Sequence, residues 1–416
     1  MNLPLGLIAP FMPPKNQFGT TVSTSSDTEG QLSVHVYRNW NDLERFRPDW
    51  DLLLSEDPDA SIFLTPEWHA SWWHAFGQDK ELVGLVFSDA SGKIAGIAPL
   101  YKDCASFFLS RLKILRMVGT GSGDSDALDF ITRPGFERMC AKAFVAWLAK
   151  ERGWNVCSLE TLPPHSLVGR YLSQLLDQSG WPALTEDSPN YFVELPSSWQ
   201  EYLQSLQSAF KPLLTRYPKR LQSRYSVSIT RCERVEDLDS NLETLFALHQ
   251  MRWTGQGKPG AFSSAERRNF YLRMSQAFMG RGWLEFWLLK LDNETVAVQF
   301  CFRYGDTVSL LQEGFNPKYA ADKVGYALRA HVLQEMIKTG ARRYDFLGGD
   351  DQYKLKFGAR QESYLTLHFA GPSLLGRAYL AQRKQAGQLK RWLKTKLPAP
   401  VLAALRHQGK RQAASA

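Results

Sequence analysis

The chain has 416 residues, of which 44% are apolar and 22% are charged. This is the balance of a folded globular protein, and the length predicts two domains of ordinary size plus tails. The sequence contains no run of 18 apolar residues, which argues against a membrane-spanning helix.

The five cysteines are scattered and form no CxxC pair. This pattern argues against a disulfide framework and against a structural zinc site. The apolar start MNLPLGLIAPFMPP has no Lys or Arg before it and is interrupted by prolines, unlike a secretory signal peptide. We therefore expect a cytoplasmic protein, and we predict disorder for the Pro-, Ser- and Thr-rich residues 1–32.

The net charge of +8 belongs to the C-terminal end of the chain. Residues 373–416 carry ten Lys and Arg and no Asp or Glu, whereas residues 1–372 carry 40 basic and 42 acidic residues. The spacing of Leu375, Leu389 and Trp392 predicts a basic amphipathic helix in this tail. Such a helix could dock on the folded body, lie on an anionic membrane surface or an acidic partner, or contact RNA phosphates.

Two similar segments, 81–103 and 283–306, predict a duplication. Each is an apolar strand, a short Asp-led polar turn and a second apolar strand, which is typical of a hairpin. In both places a helical stretch precedes the hairpin, and a strand, a helix and a strand follow it. The repeated order predicts two α/β domains, at 33–195 and 196–372.

Two local patterns mark the start of the second domain. The basic helical stretch 198–225 contains Pro212 and Pro218, which we expect to break it. Further on, Ser263 and Glu266 are spaced as a capping box and predict a helix over 264–280.

The stretch from Val308 to Arg360 contains most of the candidate ligand-binding and catalytic residues. A strand at 308–313 leads through a polar loop into a helix that starts near Lys323, and a helix N-terminus suits a phosphate because its first N–H groups are unpaired. Gly325 in the first turn would let a ligand approach the backbone; the alternative is a close packing contact between helix and strand.

The next strand of this stretch carries Asp345 and is followed closely by Tyr353 and Lys354. Ligands of α/β sheets commonly lie at such strand ends. The alternatives are a buried structural acid at Asp345 and an exposed strand lysine at Lys354.

A second candidate loop, VGTGSGDSDALDF, lies in the first half at 118–130. Asp124, Asp126 and Asp129 lack the spacing of a calcium-binding EF-hand loop, and we expect no metal site. Contact with a substrate held between the halves is one interpretation, and an ordinary connecting loop is the other.

Several motifs together resemble one family. They are FLTPEWHASWWHAFG in the first half and, in the second half, FALHQMRWTGQGKPGAF, LQEGFNPKYAADKVGYAL and YDFLGGDDQYKLKFG. Over about residues 40–370 the chain resembles the CelD/BcsL-type acyltransferases, named for cellulose biosynthesis, which are similar to the FemAB-type peptidyltransferases. The resemblance implies an α/β fold of two tandem GNAT-like (N-acyltransferase) domains, each a mixed central sheet flanked by helices.

The resemblance also implies roles for particular residues in a transfer from acetyl-CoA or another acyl-CoA to an amine or hydroxyl. The donor pyrophosphate would lie at the helix start, where the family has Gln or Arg three residues before the glycine and this chain has Asp322. General-base candidates are Glu313 and Asp345; Tyr353 would protonate the leaving thiolate, and Lys354 would hold substrate or developing negative charge. The donor-binding residues would be Lys323, Val324, Gly325, Tyr326 and Ala327. The residues lining an acceptor pocket would be His249, Arg252 and Trp253.

Three functions remain open at this point. The first is acyl transfer to a small-molecule or glycan acceptor, in polysaccharide or cell-envelope biosynthesis, by a cytoplasmic protein that can sit at the inner membrane face through its tail. The second is a FemAB-like transfer from aminoacyl-tRNA, in which the tail would contact RNA. The third is a non-catalytic scaffold at the membrane beside a polysaccharide synthase.

Overall fold

The structure is a computed structural model that describes residues 31–254, 260, 262–349 and 353–396. The predicted disorder of 1–32 therefore falls almost wholly outside the described residues, as does the end of the basic tail. Within the described part of the chain, no helix is long and apolar enough to cross a membrane.

The first half contains seven strands and five α-helices, and the second half with the C-terminal segment contains six strands and seven α-helices, counted over the described residues. The elements of the first half are β1 (Ser33–Tyr37), α1 (Trp40–Glu44), α2 (Arg47–Glu56), α3 (Pro66–Phe76), β2 (Glu81–Ser88), β3 (Ile94–Phe107), β4 (Ser110–Met117), β5 (Ile131–Thr132), α4 (Glu137–Lys150), β6 (Val156–Leu162), α5 (Leu167–Ser179) and β7 (Ala183–Glu194). Those that follow are α6 (Trp199–Ser205), α7 (Lys211–Arg224), β8 (Val227–Arg231), α8 (Leu238–Thr254), α9 (Ala265–Gly280), β9 (Leu284–Leu291), β10 (Glu294–Tyr304), β11 (Thr307–Phe315), α10 (Val324–Lys338), β12 (Arg343–Gly348), α11 (Tyr353–Lys356), β13 (Arg360–Phe369) and α12 (Leu374–Lys396).

The repeated order of helix, hairpin, strand, helix and strand is present in both halves, as the sequence predicts. The first copy runs from α3 to β6 and the second from α9 to β12. In the second copy the turn between β9 and β10 places Asp292 and Asn293 at φ 48° and 71°. Two consecutive residues at positive φ are the geometry of a tight hairpin turn, which Asp and Asn tolerate better than most residues.

One mixed sheet runs through the molecule in the order β1-β2-β3-β4-β6-β13-β7-β12-β11-β10-β9-β8, with the short β5 beside β3. The last strand of the second half, β13, lies between β6 and β7 of the first half. In turn β7 pairs with β12 of the second half. Because each half borders a strand of the other, the predicted boundaries at 195 and 372 do not divide the sheet.

Helices α3 and α9 pack the two halves together. Trp68 on α3 is fully buried and meets Phe270 of α9 edge-on, with ring centroids 5.2 Å apart. Beside this contact the buried carboxylate of Glu67 accepts a hydrogen bond of 2.5 Å from Arg281. The aromatic core is continuous across the halves, so separating them would expose large apolar side chains.

In the second half, the predicted break at the prolines is wrong, and the helix predicted over 264–280 is present with its cap displaced by one residue. Pro212 lies in the first turn of α7, where a proline is tolerated, but Pro218 lies inside α7 and does not break it. A second hydrophobic core, separate from the aromatic one, lies mainly within the second half, and Leu214 and Leu221 pack α7 against it. We infer that this packing offsets the roughly 3 kcal/mol cost of an interior proline. Helix α9 begins one residue later than the predicted capping box, with Ser264 accepting from the Arg267 N–H.

The described part of the basic tail forms the single helix α12, which docks on the first half. Tyr379 contacts Phe107 at a ring distance of 5.4 Å, and Arg383 donates to the Glu186 carboxylate at 2.7 and 2.8 Å. Further along the helix, Leu389 and Trp392 are each 57% exposed. The interpretation that the helix docks on the body therefore holds for its first part.

Candidate active site

The loop between β11 and α10 builds a pocket at the start of α10. A 3-10 turn, Pro317–Asp322, leads to Lys323, whose φ of 56° and ψ of 37° reverse the chain into the helix. The pocket has a volume of about 380 Å³ and is lined by residues of β10, β11 and α10 together with Tyr353. We call it the α10 pocket.

Six of the predicted site residues line the α10 pocket. They are Glu313, Lys323, Val324, Gly325, Tyr326 and Tyr353. Ala327 is not among the lining residues and instead packs into the second core. These six residues therefore lie around one cavity, and their roles in donor binding and catalysis stay predictions.

Gly325 lies in the first turn of α10 with open space in front of it. A β-carbon added there would meet one atom within 4 Å, Phe315 Cδ1 at 3.9 Å, which is ordinary van der Waals contact. The alternative of a tight packing contact between helix and strand is therefore wrong. By contrast, a β-carbon at Gly314 on β11 would lie 2.9 Å from the His249 backbone nitrogen, so Gly314 is required by packing and Gly325 is not.

Asp322 does not face the α10 pocket as an unpaired charge. Its carboxylate is buried, ion-paired with Arg224, and accepts a hydrogen bond of 3.2 Å from the Tyr225 hydroxyl. This pairing neutralises the acid that replaces the family's Gln or Arg. Lys323 and the N-terminus of α10 then leave the pocket entrance positive.

An ion pair that the sequence analysis missed crosses the floor of the α10 pocket. The guanidinium of Arg329, 3% exposed, is paired with Glu313 and lies over the ring of Phe357 at 4.6 Å. Burial lowers the pKa of Arg329, but the Glu313 carboxylate outweighs this effect and holds the pKa above its ordinary value. The Arg329 Nε has no acceptor among the described residues. The sequence does contain one indication of this ion pair: Arg329 follows Gly325 by one helical turn, on an otherwise apolar face of the helix.

Asp345 lies on β12 in a buried hydrogen-bond network, and it lines neither the α10 pocket nor the cleft described below. It accepts hydrogen bonds from Arg343 Nη2 at 2.9 Å, from Asn190 Nδ2 at 3.2 Å and from the Leu347 N–H at 2.8 Å. Burial raises the pKa of Asp345, while Arg343 opposes the rise. This placement matches the alternative of a buried structural acid; the general-base role stays a prediction.

Lys354 lies on the short helix α11 and is 3% exposed. It is therefore not the exposed strand lysine of the alternative interpretation. Its ammonium donates to the carbonyl oxygens of Leu347 at 2.9 Å and Gly348 at 2.7 Å. These bonds hold a turn in which Leu347 has a φ of 59°, a strained conformation for a large side chain.

His249 is buried near the end of α8 and is not a surface residue. Its ring meets Phe262 edge-on at 4.9 Å, and it lines neither the α10 pocket nor the cleft. Arg252 and Trp253 belong to the last turn of α8, and their side chains lie outside the described residues. The predicted acceptor role of these three residues remains a prediction.

A larger cavity, about 590 Å³, lies where the two halves meet, and we call it the cleft. The glycine-rich loop after β4 forms one wall, and β11 with the turn after β12 forms the opposite wall. The two walls are joined at Asp126, whose carboxylate accepts a hydrogen bond of 2.9 Å from the Gly348 N–H. The interpretation of 118–130 as an ordinary connecting loop is thus incomplete, because this loop completes a cavity with the other half.

The cleft and the α10 pocket adjoin along β11. This strand lines the cleft with residues 310–312 and the α10 pocket with residues 313–315. Its parallel pairing with β12 runs from Thr307 to Ser309, so both cavities lie beyond the paired stretch, where the strands part. Among the residues described, no group of three or more His, Cys, Asp or Glu is arranged to hold a metal ion.

The sequence and the fold are each similar to known proteins. The family of acetyltransferase (GNAT) domains matches residues 212–355. This range begins in α7 and includes all the residues that line the α10 pocket. The crystal structure of FemX is similar over 80% of this chain and 98% of its own, with 11% sequence identity and a TM-score of 0.57. No curated protein matches the sequence.

Two further solved structures are more distant. The C-terminal domain of a putative lysylphosphatidylglycerol synthetase from Agrobacterium fabrum shares 12% identity over 82% of this chain and 96% of its own, with a TM-score of 0.47. A tandem GNAT protein from the clavulanic acid biosynthesis pathway shares 13% identity over 82% and 100%, with a TM-score of 0.45. The chain is thus an α/β protein with a fold similar to that of FemX, and residues 212–355 of its second half match the acetyltransferase (GNAT) domain family.

Proposed function

We propose that the protein transfers an acyl group from acyl-CoA to an amine, with the donor bound in the α10 pocket. The observation that carries this proposal is Gly325. It lies in the matched GNAT domain, at a helix N-terminus, with nothing in the described protein that requires a glycine. A donor phosphate packed against this turn would explain why residue 325 is a glycine.

The donor fits the charges around the α10 pocket. The first N–H groups of α10 and the Lys323 ammonium suit the pyrophosphate. Arg329, buried and paired with Glu313 on the pocket floor, adds an Nε donor that has no acceptor among the described residues. We propose that Arg329 stabilises charge that develops on the thioester oxygen, and that Glu313 orients Arg329 instead of acting as the base.

The transfer is a direct displacement. The acceptor nitrogen loses a proton and attacks the thioester carbonyl; a C–N bond forms, the C–S bond breaks, and the thiolate leaves as CoA. Tyr353 lines the α10 pocket, and we propose that its hydroxyl protonates the thiolate. The attacking nitrogen loses its second proton as the amide forms, and this proton restores the Tyr353 hydroxyl. The products are the N-acylated acceptor, CoA as the free thiol, and the first proton taken from the acceptor.

Calorimetric titration of the full chain with acetyl-CoA and with CoA tests the donor site. We expect saturable binding that Gly325→Glu abolishes, because the new carboxylate would occupy the space for the pyrophosphate. Gly280→Glu is the matched control, since Gly280 also has open space in front of it and lies at the end of α9. Equal binding by the wild type and Gly325→Glu would refute the donor site.

The alternatives correspond to other outcomes of the same titration. A folded protein that ignores acetyl-CoA but binds aminoacyl-tRNA, with steep salt dependence, would be a FemAB-like peptidyltransferase. A protein that binds neither would be a scaffold. We propose that the reaction belongs to polysaccharide or envelope biosynthesis at the cytoplasmic face of the membrane; the CelD/BcsL-type resemblance of the sequence supports this proposal.

The membrane contact is a proposal that rests on exposed apolar groups beside α12. At the tip of the β3–β4 hairpin, Phe108 is 81% exposed and Leu109 is fully exposed. This tip adjoins α12 through Phe107, which contacts both Phe108 and Tyr379. An apolar tip next to a strongly basic segment fits an anionic bilayer surface better than a purely polar partner.

A further inference from the structure

The described lining of the cleft contains acids and hydroxyls but no Lys, Arg or His. Three carboxylates line it, those of Asp124, Asp126 and Glu160. A cavity of this composition disfavours a phosphate or carboxylate and favours a cation. Its volume of about 590 Å³ lies within the range of roughly 300–1,000 Å³ that is typical of small-molecule sites.

Two of the three carboxylates already have a cationic partner. Asp124 is paired with Arg267 and accepts from the Tyr271 hydroxyl at 2.9 Å. Glu160 is paired with Arg116. Asp126 has no salt bridge to any described residue and receives the Gly348 N–H at one oxygen, so its charge is the one left for a ligand.

Polar groups that lack a protein partner also line the cleft. Thr120 is 5% exposed, and its hydroxyl has no hydrogen-bond partner among the described residues. The Thr161 hydroxyl is likewise buried without such a partner. A buried hydroxyl without a partner costs about 1–3 kcal/mol, and a ligand with hydroxyl groups of its own would offset this cost at each group that it reaches.

We propose that the cleft binds the acceptor as a hydroxylated primary amine, of which an amino sugar is the simplest form, with its ammonium on the Asp126 carboxylate. The assignment of this ligand as the acceptor rests on the proposed acyl transfer, because the cleft adjoins the α10 pocket along β11. In the reaction Asp126 takes one proton from the ammonium, and the freed nitrogen attacks the thioester carbonyl. The nitrogen's second proton passes to the thiolate through Tyr353, and CoA leaves as the thiol.

The surroundings of Asp126 suit both binding and proton transfer. Burial raises the pKa of Asp126 to about 6, with the Gly348 hydrogen bond acting in the opposite direction. A carboxylate with a pKa in this range is a stronger base than an ordinary carboxylate and is still ionised at neutral pH. The turn that contains Gly348 is stabilised by a hydrogen bond from the Lys354 ammonium to the Gly348 carbonyl oxygen.

Ligand-detected NMR of the full chain without CoA tests the ligand class through three matched probes. They are glucosamine, glucose, which lacks the amine, and glucosamine 6-phosphate, which adds an anion. We expect glucosamine to bind and the other two to bind at least tenfold more weakly. Equal binding of glucose, tighter binding of the phosphate, or no binding of glucosamine would overturn the proposal.

Asp126→Asn then tests the residue. The amide oxygen can still accept from the Gly348 N–H, so the turn should persist, and an unchanged acetyl-CoA titration with no loss of thermal stability verifies this. We expect glucosamine binding to fall at least tenfold, whereas Asp129→Asn, in the same loop but outside the cleft lining, should leave it unchanged. Full glucosamine binding by Asp126→Asn would overturn the role of Asp126.

The donor titration separates this inference from the proposed function. Glucosamine binding that depends on Asp126, in a protein that ignores acetyl-CoA, would refute acyl transfer and keep the amine site. Acetyl-CoA binding that depends on Gly325, in a protein that ignores glucosamine, would keep the donor site and refute the amine site.

Discussion

At the scale of single residues, the buried charges divide into those that hold the protein together and those left for a ligand. Lys354 and Asp345 each make their hydrogen bonds to protein groups. Asp126 and Arg329 each keep an atom or a charge that the described protein does not satisfy. We therefore expect the first group to affect stability and the second to affect binding.

Asp126→Asn should stabilise the protein at neutral pH. A folded-state pKa of about 6, against 3.8 for the ordinary group, means that stability falls as the pH rises from about 4 to 6 and stays lower above. The substitution removes this penalty, so we expect a gain of about 1–3 kcal/mol at pH 7.5 that vanishes near pH 4. Urea unfolding across this range measures the gain.

The groups around Asp126 set the size of that gain. Asp345 and Asp124 raise the pKa of Asp126 and Lys354 lowers it, so titration of the two neighbouring acids broadens the transition. A stability difference that is constant from pH 4 to 8 would show that Asp126 has an ordinary pKa.

Lys354→Met should destabilise the protein more than it affects donor binding. The substitution removes the ammonium that holds the carbonyl oxygens of Leu347 and Gly348, at a cost of about 2–4 kcal/mol. Urea unfolding measures the loss, and calorimetry should show unchanged acetyl-CoA binding. Wild-type stability with a large loss of turnover would instead support the substrate-holding role that the sequence predicted for Lys354.

At the scale of elements, local patterns predict well and pairings between distant strands do not. The alternating strands, the Asp-led turns and the start of α10 are all encoded within a few residues. The insertion of β13 between β6 and β7 joins segments about two hundred residues apart, and no local pattern records it. For the same reason the sequence located Gly325 and Tyr353 but not the juxtaposition of Asp126 with Gly348.

Each half of the chain pairs with a strand of the other half, and we call this arrangement the exchange of β7 and β13. It leads to a prediction about how fragments of the chain fold. Residues 33–195 lack β13, which separates β6 from β7, and residues 196–372 lack β7, the partner of β12. We expect neither fragment to fold alone and the two to form a folded complex when refolded together. Circular dichroism and gel filtration test this.

Independent folding of both fragments would contradict the exchange. Each would then have to close its sheet without the strand of the other half, and the boundary at 195 would be a true domain boundary.

At the scale of the whole molecule, residues 1–372 carry nearly balanced charge and residues 373–416 carry ten Lys and Arg with no Asp or Glu. We predict that the full chain sediments with vesicles containing anionic lipid and that salt weakens this binding. Replacing Phe108 and Leu109 together by Ser should reduce binding several-fold, because these side chains would insert at the interface.

The control for this experiment is Leu52→Ser, which removes an exposed leucine on α2, away from the hairpin tip. Vesicle binding that is unaffected by the hairpin substitutions would contradict the proposed surface. Binding to RNA that the same substitutions leave intact would favour the RNA alternative for the tail.

The most direct test of the central claim is a crystal structure of the full chain with CoA. We predict the pyrophosphate at the first turn of α10, with the Val324 and Gly325 N–H groups as donors and the thiol end directed to the gap between β11 and β12. CoA bound anywhere else, or a filled α10 pocket with no contact to Gly325, would contradict the account.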